Sequence, residues 1–154
     1  TLVDDSAGGA LSLMALQYPQ VAAHIRSVVV FSPWTDLTFS GESFNDPNML
    51  DPIFQPAILQ AAARAYLQGV DPKDQRASPL FAETDTLPPL LIQVGSEELL
   101  LSDATRYATK AEEVGGVVQL DIYEGMHHVF QRDVQLDATR HTLEAAAAFI
   151  IRHG

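Results

Sequence analysis

The chain has 154 residues, of which 47% are hydrophobic and 19% charged, a composition typical of one globular domain with its own core and not of a disordered segment. Its formal net charge of −11 argues against a nucleic acid or an anionic membrane surface as a partner, because both bind surfaces rich in Lys and Arg. The lack of cysteine in the sequence excludes disulfides and thiolate metal sites and leaves the compartment open, with the cytoplasm as the expected one.

The first nine residues predict a sharp strand-to-helix turn at Ser6. A short apolar stub at residues 2–3 runs towards this serine, and a segment without Asp, Glu, Lys or Arg follows it. Pro19 interrupts that segment well short of a membrane-spanning length, so we predict a buried helix over residues 7–18 and no transmembrane span. The side chains that share one face of this helix are Ala7, Leu11, Met14, Ala15 and Tyr18.

Further along the chain, predicted strands and helices alternate. The apolar run over 27–31 is typical of a strand covered on both faces, and residues 88–94 predict a second buried strand. The pattern over 117–123 predicts a third strand. One helix is predicted over 57–67 and another over 137–152. Between them, a further helix is predicted to start at a cap on Ser102 or Asp103 and to end at the Gly115–Gly116 pair. Residues 124–131 are predicted to form a loop. This order predicts an α/β fold, in which a mostly parallel sheet is flanked by helices.

The edge of the predicted sheet is incompletely covered. The stub at residues 2–3 is shorter than the strand at 28–31 beside which it would lie, so we expect an exposed apolar edge. Such an edge predicts that the isolated chain aggregates, forms oligomers or is completed by another polypeptide, such as a complementing N-terminal segment.

Serine, acidic and histidine residues follow three of the predicted strands. Parallel α/β sheets bind ligands at the carboxyl ends of their strands, so side chains just after the strands are candidates for chemistry. A serine becomes a nucleophile only with a general base in hydrogen-bond reach and an acid that orients this base. The candidates are Ser6, then Glu97, Glu98 and Asp103, then His127 and His128, which is the chain order of the α/β-hydrolases.

Five short motifs carry a resemblance to one known family. In chain order they are Asp5-Ser-Ala-Gly-Gly9, Ser32-Pro-Trp-Thr-Asp-Leu37, Ala77-Ser-Pro-Leu80, Pro88-Pro-Leu-Leu-Ile92 and Tyr123-Glu-Gly-Met-His-His-Val-Phe130. With these motifs the chain resembles the hormone-sensitive-lipase-like branch of the α/β-hydrolases, microbial carboxylesterases with a Gly-Asp-Ser-Ala-Gly-Gly turn. The resemblance implies that residues 1–154 form one partial catalytic domain, the C-terminal part of the fold, with a cap-like segment over 38–70.

The resemblance also implies an activity and its partners. The activity is that of a serine carboxylesterase, which hydrolyses short- to medium-chain acyl esters through an acyl-enzyme. Ser6 would be the nucleophile, and the backbone N–H of Ala7 would contribute to the oxyanion hole. No cofactor and no metal are implied. The partner is a small-molecule ester, and family habit makes a homodimer built on the last strand and helix plausible.

The histidine and the acid are assigned by the family pattern. Met126-His-His-Val-Phe130 matches the family's Met-x-His-x-Phe, which makes His128 the base and His127 its variable neighbour. An ungapped count back from His128 places the acid on Glu98, and one inserted residue would place it on Glu97. The two histidines also suggest a metal site, but adjacent residues of an extended segment point to opposite sides and no third ligand cluster is evident.

Two features depart from the family pattern. Asp4 stands where the family has the first glycine of Gly-x-Ser-x-Gly, and it would strain the turn or place a second carboxylate beside Asp5. The His-Gly-Gly-Gly loop that supplies further oxyanion donors in the family is not among the 154 residues. Both features leave open a catalytically silent hydrolase fragment or a binding module, and the triad alone leaves open an amidase or a lactonase.

Apolar residues after the second strand are candidates for substrate binding. In the family, the segment that follows this strand contributes to a cap over the active site. Trp34, Leu50 and Phe54 are therefore candidates for lining an acyl-binding slot. The alternative for each of them is packing within the core or beneath the cap.

Overall fold

A parallel sheet of four strands, in the order β1-β2-β3-β4, organises the computed structural model, which describes residues 1–84 and 86–154. The strands are β1 (Leu2–Asp5), β2 (Val28–Phe31), β3 (Leu90–Glu97) and β4 (Val118–His127). The helices are α1 (Ser6–Ala15), α2 (Pro19–Ala22), α3 (Glu42–Asn45), α4 (Pro56–Leu67), α5 (Leu101–Glu113) and α6 (Asp137–His153), with 3₁₀ turns at Pro79–Phe81 and Phe130–Arg132. The predicted fold class, a mostly parallel sheet flanked by helices, is confirmed.

Strand β2 is entirely apolar, and β3 is apolar from Leu90 to Val94 except for Gln93, because both faces of the sheet are covered. On one face, Val28, Val30 and Ile92 pack in a cluster with residues of α1 and α5. On the other face, Val29 and Leu91 pack against α6. All five side chains are fully buried, so the sheet is a rigid support for whatever follows its carboxyl ends.

The expectation of an uncovered edge at β2 was wrong. Leu2–Asp5 pairs residue by residue with Val28–Phe31, because β1 includes the two aspartates that the predicted stub left out. Carboxylates are depleted in strands, which is why the sequence indicated a shorter element. Within the described residues the sheet ends at β1 and β4, where Val3 is 50% and Ile122 is 50% exposed. Association of the chain through these edges stays a prediction.

Helix α1 turns a different face to the sheet from the one that its apolar spacing indicated. Leu13 and Leu16 are buried in the core cluster with the sheet. Leu11 and Tyr18, which belong to the predicted face, are 58% and 49% exposed. The helix also ends at Ala15 and not at Tyr18. Ala7, Leu11 and Met14 of the predicted face instead line a surface groove.

Strand β4 is longer than predicted and reaches the candidate histidines. It continues as far as His127, so the predicted loop over 124–131 begins inside the strand. Tyr123 pairs with Gly95 and His127 pairs with Glu97, which leaves extra residues bulging out of β4 between the two pairs. Gly125 lies in this bulge at a φ of +70°, a left-handed conformation that glycine adopts without strain.

The start of α5 corrects a second boundary. The helix begins at Leu101, and neither Ser102 nor Asp103 caps it. Oδ2 of Asp103 instead accepts hydrogen bonds from the backbone N–H groups of Thr35 and Asp36, each at 2.8 Å. This buried carboxylate therefore ties the loop after β2 to α5.

The segment over 38–70 packs at the carboxyl end of the sheet. Phe44 of α3 and Leu59 of α4 are buried against Leu99 and Leu100, which directly precede α5. This position suits the predicted cap-like role, which stays a prediction. Among the helices of residues 1–84 and 86–154, none is both long and apolar enough to cross a membrane.

Candidate active site

Four polar side chains meet at the carboxyl ends of the four strands. Ser6 follows β1, Ser32 follows β2, Glu98 follows β3 and His128 follows β4. The strands are parallel and neighbouring, so their ends lie along one edge of the sheet. The parallel topology thus brings together residues that are up to 122 positions apart in the sequence.

A line of hydrogen bonds connects three of these residues. Oγ of Ser6 lies 3.0 Å from Nε2 of His128, and Nδ1 of His128 lies 2.8 Å from Oε2 of Glu98. An ionised carboxylate can only accept, so the imidazole proton belongs on Nδ1. Nε2 is then free to accept the hydroxyl proton of Ser6. This is the arrangement in which a serine hydroxyl can lose its proton to a neighbouring base.

The carboxylate of Glu98 is fully buried and fully hydrogen-bonded. Its Oε2 contacts the imidazole, while its Oε1 accepts from the hydroxyl of Ser32 at 2.8 Å and from the N–H of Gly95 at 2.7 Å. Three donors compensate for the water that the charged group has lost on burial. The rings of Phe54 and His128 form an edge-to-face contact with a centroid separation of 4.9 Å.

The two other candidate acids lie elsewhere. Glu97 is half-buried at the end of β3, where its backbone pairs with His127. Asp103 is 2% exposed and bonded to the loop after β2, and burial raises its pKa to about 8. The structure therefore brings Glu98 to the imidazole of His128, and it uses Asp103 to hold a loop.

The turn at Ser6 accommodates Asp4 through a neighbouring glycine. Ser6 has a φ of +50°, a strained left-handed conformation for a serine. The carboxylate of Asp4 is exposed and lies against Gly8, where any Cβ would overlap it. Its Oδ1 accepts from the N–H of Asp5 at 2.9 Å. The aspartate therefore fits because position 8 carries no side chain.

Two contacts around the turn were not anticipated from the sequence. Nη2 of Arg132 lies 2.8 and 2.9 Å from the two carboxylate oxygens of Asp5, which joins the turn to the segment after His128. The second contact is the hydroxyl of Ser32 on Glu98. Ser32 could have been found by the rule that identified the others, because it also follows a strand directly. The pairing of Asp5 with Arg132 has no comparable sequence signal.

Two pockets flank Ser6. The apolar groove, of about 260 Å³, lies beside the start of α1 and is lined by Ala7, Ala10, Leu11, Met14, Trp34, Leu37, Ala62, Ala63, Tyr66 and Ala77. The histidine-side pocket, of about 600 Å³, is lined by Asp5, Ser6, Ile53, Phe54, His127, His128, Val129, Arg132 and Asp133.

The three predicted substrate-binding residues are distributed unevenly over these pockets. Trp34 lines the apolar groove and Phe54 lines the histidine-side pocket. Leu50 is 68% exposed and lies outside both, and Ile53 occupies the position beside Phe54 instead. Among the residues that the structure describes, no group of three or more His, Asp or Glu side chains is arranged to hold a metal ion.

Comparison with known proteins gives consistent matches. The profile of a family described as having the alpha/beta hydrolase fold matches residues 1–132. An esterase of Acinetobacter venetianus is 40% identical over 123 residues, which are 79% of this chain and 40% of that protein. An acetyl-hydrolase of Streptomyces hygroscopicus is 37% identical over 153 residues, which are 97% of this chain and 51% of that protein.

Solved structures agree with these relatives. The crystal structure of an esterase from the bacterial hormone-sensitive lipase family matches with a TM-score of 0.92 and 34% identity, over 99% of this chain and 52% of that one. A hormone-sensitive lipase from a metagenome library matches with a TM-score of 0.92 and 33% identity, over 99% and 53%. These findings confirm the resemblance that the five motifs indicated. The chain spans about half the length of the relatives that it matches, or less.

Proposed function

Because the chain belongs to the α/β-hydrolase family, we propose that it carries the nucleophile, the base and the acid of a serine carboxylesterase. The observation that carries this proposal is the line of hydrogen bonds from Ser6 through His128 to Glu98. Relatives named esterase and acetyl-hydrolase support a carboxylic ester as the bond that is cleaved.

The proposed reaction begins with attack by Ser6. Its Oγ bonds to the carbonyl carbon of the ester while Nε2 of His128 takes the hydroxyl proton. The tetrahedral intermediate then breaks the bond to the alcohol oxygen, and the alcohol leaves with the proton from His128. A water molecule repeats both steps on the acyl-enzyme, which releases the carboxylic acid and restores Ser6. Glu98 stays charged throughout and stabilises the imidazolium form of His128.

The backbone N–H of Ala7 is proposed as an oxyanion donor. Ala7 directly follows the nucleophile and lies in the first turn of α1. The first N–H groups of a helix have no acceptor within the helix, and the positive end of the helix dipole lies there. A negative charge that develops on the carbonyl oxygen is therefore stabilised at this position.

The two pockets suggest how an ester is oriented. The leaving alcohol must lie next to Nε2 of His128, since it receives its proton from this atom. The alcohol therefore occupies the histidine-side pocket, and the acyl group extends to the opposite side of Ser6, into the apolar groove. Trp34, Leu11 and Tyr66 of this groove would contact the acyl chain. A groove of about 260 Å³ suits a short- to medium-chain acyl group.

Hydrolysis of p-nitrophenyl butyrate by the full-length protein tests the proposal. We expect Ser6→Ala to lower kcat by about 10⁴-fold or more, because the attacking oxygen is lost. Ser12→Ala in the same helix is the matched control, since this serine is buried and lines neither pocket, and its rate should equal that of the wild type. Equal rates for Ser6→Ala and the wild type would overturn the proposal. Parallel assays with butyranilide and butyrolactone would reveal an amidase or a lactonase.

A further inference from the structure

Ser32 lies between the nucleophile and the acid and makes two buried side-chain contacts. It follows β2, the strand between β1 and β3, and is 0% exposed. Its hydroxyl donates to Oε1 of Glu98 at 2.8 Å and accepts from the backbone N–H of Val129 at 3.1 Å. One hydroxyl therefore touches both the acid and the residue that follows His128.

Both residues joined by the second contact have unusual backbones. Ser32 has a φ of +46° and Val129 a φ of +48°, in the left-handed region that L-residues rarely adopt. For a β-branched residue such as Val129 this conformation is a genuine outlier. Such conformations persist only where surrounding contacts hold them, and they are concentrated at functional sites.

The loop that carries Ser32 is fixed on both sides. Its own N–H donates to the carbonyl oxygen of Gln93 at 2.8 Å, which extends the pairing of β2 with β3. Further on, Asp103 accepts from the N–H groups of Thr35 and Asp36. Ser32 is therefore rigid enough to hold other groups in place.

We propose that Ser32 is a positioning residue for the Glu98–His128 pair. With Oε1 held by Ser32 and Gly95, the carboxylate presents Oε2 to Nδ1 of His128. The acceptor contact holds Val129 in its left-handed conformation, and this conformation directs the adjacent His128 towards Ser6. Loss of the hydroxyl frees the carboxylate to rotate and leaves a buried N–H without an acceptor.

Ser32→Ala tests this role, because alanine keeps the Cβ and loses only the hydroxyl. We expect kcat for p-nitrophenyl butyrate to fall by on the order of 10- to 100-fold, as for a small misplacement of reacting groups, with KM changed by less than about twofold. We also expect the downfield ¹H NMR signal of the proton between His128 and Glu98 to disappear or shift. Ser32→Gly repeats both measurements with a residue that adopts a positive φ without strain, in case the alanine variant is unstable.

Ser78→Ala is the matched control. Ser78 is also 0% exposed, and its hydroxyl also donates once, to the carbonyl oxygen of Pro72, and accepts once, from the N–H of Leu37. A purely structural role for Ser32 would give both alanine variants a similar loss of melting temperature, with kcat and the downfield signal unchanged. That result would overturn the proposal.

The kinetic measurement rests on the proposed esterase function, whereas the NMR measurement depends only on the geometry. Full esterase activity of the Ser32→Ala variant would refute the positioning role and leave the proposed function intact. A wild type without hydrolysis contradicts the proposed function, and the downfield signal then decides the inference alone. An unchanged signal in Ser32→Ala would refute it.

Discussion

Replacement of Glu98 by glutamine removes the negative charge of this side chain and keeps its size and shape. In the wild type, Oε1 accepts from Ser32 and Gly95, and Oε2 accepts from Nδ1 of His128. The glutamine oxygen is held on the side of the first two donors, so its NH₂ group faces the imidazole. Two donors cannot bond each other, and His128 must move its proton to Nε2. Nε2 then has no lone pair to accept the proton of Ser6.

The expected loss is therefore large. A triad histidine held in the wrong tautomer lowers kcat by about 10⁴-fold, which corresponds to about 5.5 kcal/mol in the activation free energy. The assay is steady-state hydrolysis of p-nitrophenyl butyrate by the full-length protein, with circular dichroism to verify that the glutamine variant folds. KM should change little, because Glu98 is fully buried and makes no contact with bulk solvent.

Glu97→Gln is the matched control, because it makes the same chemical change one residue earlier at a half-buried position. We expect its kcat to stay within about twofold of the wild type. The opposite result, a large loss in Glu97→Gln with activity retained in Glu98→Gln, would refute the reasoning and move the acid to the alternative that the sequence left open.

Three further predictions concern the acyl group, packing and pH. Leu11→Trp fills the apolar groove. In the wild type we expect kcat/KM to rise about fourfold with each acyl methylene, and in the variant this rise should flatten. For esters that differ only in the alcohol, the variant should behave like the wild type. Gly95→Ala should lower the free energy of unfolding, measured in urea, by about 1–3 kcal/mol, because the new Cβ would overlap the backbone carbonyl of Met126. Gly8→Ala should lower it less, since its Cβ meets only the carboxylate of Asp4. Equal losses in the two variants would contradict this. Burial raises the pKa of Asp103 from 3.8 to about 8, so the folded state binds a proton more tightly than the unfolded state, and stability should fall as the pH rises from about 4 towards 8. Asp103→Asn should reduce this pH-dependent loss of stability, measured as the melting temperature. Identical pH profiles of the variant and the wild type would contradict the prediction.

The strand-end residues could be predicted from the sequence because their position follows from topology. Alternation of apolar runs with helical patterns predicts a parallel sheet, and a parallel sheet places the ends of all its strands on one edge. Ser6, Glu98 and His128 each come within a few residues of the end of such a run, so their proximity follows without any knowledge of side-chain packing. The choice of Glu98 over Glu97 does not follow in this way and depended on the family pattern.

Features that depend on contacts between distant segments could not be predicted. Asp103 resembles a helix cap in the sequence, and only the fold shows that the N–H groups of Thr35 and Asp36 reach its carboxylate. The end of β4 was missed because its last residues lack apolar alternation, whereas strand pairing depends on backbone hydrogen bonds. Leu50 and Ile53 have similar hydrophobicity, and sequence spacing in an irregular segment does not tell which of them faces the site.

The orientation of α1 could have been derived from its glycines. Periodicity detects an apolar face but does not tell what covers it, and α1 has two such faces. A helix approaches a sheet most closely where it carries no side chain, and a Cβ on Gly9 would lie only 3.2 Å from Cβ of Pro33 and 3.5 Å from Cβ of Val30. Gly9 therefore marks the sheet side, and Leu13 and Leu16 follow on it at helical spacing. The other apolar face, with Leu11, is then left to line the groove beside Ser6, which is where the proposed acyl-binding role requires an apolar surface.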